Sequence, residues 1–95
     1  MFDEWIIEWD IQKNRKLQEV RNVSFEQVEV LIQEGNILDI IPHPSKQYRH
    51  QSIIIVCINE YIYLVPFVVS EKDKRIFFKT IIPSRKYTKI YLQYN

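Results

Sequence analysis

The first apolar run, Glu4-Trp5-Ile6-Ile7-Glu8-Trp9, is short, β-branched and aromatic, and it predicts a strand. Asp10 then stands where a helix N-cap belongs. Residues 11–21 predict a helix whose only apolar positions are Ile11, Leu17 and Val20, hence a largely exposed one, ended by Asn22-Val23. Ser24-Phe25-Glu26-Gln27 has the capping-box form, in which the Ser24 hydroxyl accepts from the Gln27 backbone and the Gln27 side chain reaches back. Val23 and Val28 flank that cap at the staple positions. Val28, Leu31 and Ile32 recur at i, i+3 and i+4, and Gly35 falls where a C-terminal cap is expected, so a second helix ends near Glu34.

From Asn36 the apolar period becomes two. Residues 37–41 predict a strand stopped by Pro42-His43-Pro44, and Ser52–Ile58 is apolar at almost every position, as in a central strand buried on both faces. Asn59-Glu60 makes a two-residue hairpin turn into a strand over 61–69, where Pro66 predicts a bulge or an unpaired stretch. The polar loop Ser70-Glu71-Lys72-Asp73-Lys74 leads to a last strand over 75–82. Alternation there places Ile76, Phe78, Thr80 and Ile82 on one face and Arg75, Phe77, Lys79 and Ile81 on the other. Pro83 or Ser84 opens a short C-terminal helix with Tyr87, Tyr91 and Tyr94 along one side and Arg85 and Lys89 one turn apart on another. The predicted order is β-α-α-β-β-β-β-α. It describes a single α+β domain over residues 1–95, two layers deep, with helices packed on an antiparallel sheet.

Composition agrees with a sheet-rich domain. The 95 residues are 46% apolar and 26% charged, which excludes a disordered chain. Sixteen Ile, eight Val and thirteen aromatics stand against one Gly and no Ala, a bias toward residues that fit a pleated, half-buried surface. No apolar run reaches the ~18 residues of a membrane span, so no membrane association is expected. The start Met1-Phe2-Asp3-Glu4 is acidic where a secretory signal is basic, and the lone Cys57 suits a reducing compartment; the expected location is cytoplasmic.

The formal net charge of +1 hides an asymmetry. Residues 1–10 carry a local −4, the middle cancels, and residues 71–95 carry a local +5. That basic end is either a surface for a polyanion or a solvated end balanced in space by the acidic start.

Most signatures of site chemistry are missing. One Gly leaves no phosphate-cradling loop, and Cys57, His43 and His50 lack zinc spacing, so neither a cofactor nor a metal is expected. What remains is basic and aromatic: Lys79 on the last strand, Arg85 and Lys86 at the helix start, Tyr91 further on, and His43, Tyr48 and His50 in the loop between strands. Lys and Arg bind backbone phosphates, and bases stack on aromatic planes. Metal-free RNA cleavage needs a base for the 2′-hydroxyl, charge for the phosphorane and an acid for the leaving oxygen. Each residue also has an ordinary role, with Lys79 a solvated edge residue, the Tyr stripe helix-to-sheet packing, and both His surface groups.

Taken together, the motifs resemble a known family. Glu8-Trp9-Asp10, Lys13-Asn14 and Val23-Ser24-Phe25-Glu26 are similar to the opening of BrnT-family toxins. Thr80-Ile81-Ile82-Pro83-Ser84-Arg85-Lys86, with Thr88-Lys89 and Tyr91, is similar to that family's closing segment; residues 42–69 depart from the family pattern, and Pro83 replaces a small residue. The resemblance implies a RelE-like fold and a ribonuclease toxin of a bacterial type II toxin–antitoxin pair, cutting mRNA on or off the ribosome. Arg85, Lys86 and Tyr91 match the family's Arg-Lys pair and late Tyr. On this reading Arg85 and Lys86 stabilise phosphate charge, Lys79 positions the backbone, His43 or Tyr91 moves protons, and Arg75, Lys89, Tyr48 and His50 add RNA contacts. The implied partner is a small antitoxin of ribbon-helix-helix type, forming a two-to-two assembly and alone touching operator DNA. The alternative is a non-catalytic RNA- or protein-binding module of the same fold.

Overall fold

A computed structural model describes residues 4–92. In chain order its elements are β1 (Ile6–Glu8), α1 (Ile11–Arg21), α2 (Phe25–Gln33), β2 (Asp39–Pro42), β3 (Ser52–Ile58), β4 (Tyr61–Ser70), β5 (Arg75–Phe78), β6 (Ile82–Pro83) and α3 (Arg85–Leu92), with one 3₁₀ turn at Lys46–Tyr48.

Local chemistry sets the helix ends. The Asp10 carboxylate accepts from the Lys13 backbone at 2.9 Å, and Asn22 closes α1 in the left-handed region at φ 55°. Both halves of the capping box at Ser24 are formed, and Val23 and Val28 are buried on either side of it. Gly35 takes φ 73°, its N–H donating to Ile32 and that of Asn36 to Leu31, the paired bonds of a Schellman ending.

The sheet order is β1-β5-β4-β3-β2, with β6 pairing β4 beyond the end of β5. The expected antiparallel hairpins are present, but β1 runs parallel to β5, so the sheet is mixed. The type of a pairing between segments nearly seventy residues apart is not written in either segment's period.

Helices cover both faces, not one. Against α1 and α2 lie Ile54, Val56, Ile58, Val65, Phe67, Ile76, Phe78 and Ile81; against α3 lie Ile53, Ile55 and Ile62. The fold is therefore three layers, α+β with three α-helices. Trp9, Phe25 and Phe78 stack at the first interface, with centroids 5.6–6.2 Å apart. On the second face Tyr87 and Tyr91 pack on the sheet, while Tyr94 lies outside the described residues.

The last strand is broken where continuity was expected. β5 pairs Phe67 with Phe78, whereas β6 pairs Leu64 with Ile82, so three residues, 79–81, stand opposite two, 65 and 66. This is a one-residue bulge. Pro66 explains it: Lys79 N–H donates to the Pro66 carbonyl at 2.8 Å, but Pro66 has no N–H to return. The extra residue reverses the predicted faces beyond the bulge, leaving Ile81 fully buried and Ile82 39% exposed. Arg21 of α1 holds the bulge from below, its Nη1 donating to the Ile81 carbonyl.

Candidate functional site

The bulge shapes a cleft where anticipated residues from two distant segments meet. A regular strand sends successive side chains to opposite faces, but Lys79 and Thr80 both line one cleft, on the same side of the sheet as Pro66 and Ile82. Opposite them, the connection between β2 and β3 supplies His43, Tyr48 and Gln51. The cleft holds about 310 Å³, near the lower end of the range for small-ligand pockets.

Backbone bonds hold the connection in shape. His43 N–H donates to the Gln51 carbonyl at 3.2 Å, Gln51 N–H donates to Tyr48 at 2.8 Å, and Ser45 caps the 3₁₀ turn. The Ser45 N–H donates to His43 Nδ1 at 3.1 Å, which leaves Nε2 as the N–H-bearing nitrogen of the neutral ring. The His43 and Tyr48 rings sit 5.1 Å apart at 50°.

Lys79 is exposed, with its ammonium 5.3 Å from the Phe77 ring centroid and no carboxylate partner among the described residues. The cleft lining carries this cation and no acidic side chain among the described residues. It therefore offers a cation, an imidazole N–H, a phenol, a hydroxyl and an amide to a ligand.

The other anticipated residues lie elsewhere. Arg85, Lys86 and Lys89 are exposed on α3, which is fastened at the Ile62 end of β4: Ser84 N–H donates to the Ile62 carbonyl, and Ile62 N–H donates to Thr88 Oγ1 at 2.9 Å. Four residues of strand, roughly 13 Å, separate Ile62 from Pro66 at the cleft. Tyr91 is half-buried against the sheet and stacked on Tyr87, the packing role its spacing allowed. Arg75 sits at the far edge, its Nη1 2.6 Å from Glu8, and Lys74 pairs with Glu4 at 3.7 Å. The acidic start thus balances part of the basic end in space. His50 belongs to the cleft connection but is exposed and does not line the cleft.

Gln51 and Thr80 escaped the sequence reading. The usable signal was Pro66, because counting back across the Ser70–Arg75 hairpin pairs it with Lys79 and places a bulge at Lys79-Thr80. Gln51 gave no signal beyond its position one residue before an apolar strand.

Among the described residues no group of three or more His, Cys, Asp or Glu side chains is placed to hold a metal ion, and no helix is long and apolar enough to cross a membrane. Compared with known proteins, the chain matches no family model, no curated protein sequence and no solved structure.

Proposed function

We propose that this chain is a ribonuclease toxin of the type II toxin–antitoxin kind, acting on RNA without a metal ion at the His43–Lys79 cleft. The observation that carries this reading is the convergence of His43, Tyr48, Gln51 and Lys79 from two distant segments on one cleft that carries no carboxylate among the described residues. Lys79 and His43 Nε2 are both donors and suit the non-bridging oxygens of a phosphate that gains charge in reaction. In the step proposed, the 2′-oxygen bonds to phosphorus and the bond to the 5′-oxygen breaks. The 2′-hydroxyl proton leaves to water, and the 5′-oxygen takes one from the Lys79 ammonium. Tyr48 offers a stacking plane to a base. Arg85 and Lys86 enter as contacts to RNA extending beyond the cleft.

A second reading, RNA binding without cleavage, draws on one specific observation. His43 Nδ1 is engaged by Ser45, so the neutral ring presents a donor and no base to the cleft. Purified protein incubated with single-stranded RNA in EDTA separates the two. Cleavage that falls at least about 100-fold in Lys79→Ala, the order of one electrostatic donor, supports the enzyme reading. Tight RNA retention with no cleavage supports the binding module, and cleavage indifferent to Lys79→Ala removes the cleft from both.

Two surfaces fit an antitoxin-like partner. One is α3 with its exposed cations; the other is α1, where Ile11 and Val20 are 66% and 67% exposed. An interface of at least ~1,200 Å² there, closed by a ribbon-helix-helix dimer into a two-to-two assembly, is the expected complex. Operator DNA contact then belongs to the partner, and the expected setting is the bacterial cytoplasm.

A further inference from the structure

Gln51 brings an uncommitted amide to the wall of the cleft. The residue is 8% exposed overall, and its side-chain amide makes no hydrogen bond among the described residues. No buried polar side-chain atom among them lacks a partner, so the accessible part of the residue includes the amide nitrogen and oxygen. Its backbone is fixed on both sides, by the bonds to Tyr48 and His43, so the point from which the side chain enters the cleft is set. The residue lines the cleft beside Tyr48 and His43, so its unused donor and acceptor are open to a ligand bound there.

We infer that Gln51 is the base-reading residue of the cleft and that the base it selects is adenine in single-stranded RNA. An amide presents one donor and one acceptor side by side, which matches N6–H and N7 of adenine as a two-bond pair. Guanine recognition by the same kind of edge contact uses a cation, and Lys79 is the cleft's only cation among the described residues and is directed to phosphate in the proposed function. The aromatic pair of His43 and Tyr48 supplies a stacking plane next to the amide, and the size of the cleft suits one nucleotide. The inference rests on the RNA reading of the cleft and adds to it the identity of the nucleotide held there.

Fluorescence anisotropy with 2′-O-methylated hexamers of A, C and U tests it, because these strands report binding without cleavage. Wild-type protein is expected to bind the A hexamer about tenfold more tightly than C or U. Gln51→Leu should bring the three within about twofold. Gln51→Glu keeps the shape but only accepts, and should move the preference to C, whose N4 donates. If Gln51→Leu does not fold, as judged by circular dichroism, the Gln51→Glu shift decides the matter. Equal affinity of the wild type for all three hexamers, or an A preference that survives in Gln51→Glu, overturns the role of Gln51 and leaves RNA binding standing. No binding to any hexamer overturns the inference and the RNA reading together.

Discussion

Replacing Thr88 by Val should loosen the attachment of α3 to the sheet by an amount that can be worked from three hydrogen bonds. Ile62 faces away from β3, so neither its N–H nor its carbonyl is used by that neighbour, and both are taken by the start of α3: the carbonyl by Ser84 N–H and the N–H by Thr88 Oγ1. Both Ile62 and Thr88 are buried. Thr88→Val leaves the Ile62 N–H unpaired, at about 1–3 kcal/mol. Thr88 also donates through Oγ1 to the Ser84 carbonyl, but that carbonyl still receives the Thr88 N–H at 3.0 Å, so its loss adds little. The expected total is about 2 kcal/mol, or a melting temperature lower by roughly 8–16 °C for a domain of this size. Thr88→Ser keeps the hydroxyl and should lose less than about 1 kcal/mol. Urea and thermal melts followed by circular dichroism read both. A Thr88→Val protein within about 0.5 kcal/mol of wild type, or a Ser variant as unstable as the Val one, would refute the reasoning.

Asn14→Ala should cost about 2–3 kcal/mol in the same melts, since its buried amide both accepts from the Phe25 backbone at 2.8 Å and donates to Glu26 at 2.7 Å, and Phe25 N–H has no partner within its own helix. A change below about 1 kcal/mol would show that water replaces the bridge. Glu60→Gly should stabilise by about 0.5–1 kcal/mol, because Glu60 holds φ 63° in the two-residue turn, a strain that glycine does not carry. A destabilised Gly variant would mean that the turn is not held in this conformation in solution.

The parts of the fold that could be read from the sequence are those decided within a few residues. Ser24 and Gln27 announce their own cap, Asn59-Glu60 its own turn, and Ser52–Ile58 its own burial. Ile81 and Ile82 could not be assigned faces by counting, because the shift arises across the sheet, from the N–H that Pro66 lacks. The parallel pairing of Ile7 with Ile76 and the placing of α3 opposite α1 and α2 are likewise long-range choices, made by whichever apolar faces remain to be covered. For the candidate site, His43, Tyr48 and Lys79 stood out by residue type and were brought together. Arg85, Lys86 and Arg75 stood out for the same charge, but the structure places the first two on α3 and holds the third against Glu8. Gln51 becomes visible only once the cleft is assembled.

The central claim is that RNA is engaged at the cleft between the β2–β3 connection and the bulge. Titrating isotopically labelled protein with single-stranded RNA and following backbone amide shifts tests it most directly. The account predicts the largest changes at His43, Tyr48, Gln51, Lys79 and Thr80, with smaller ones at Arg85 and Lys86. Changes confined to α3 or to the β1–β5 edge, or no changes at all, would contradict it.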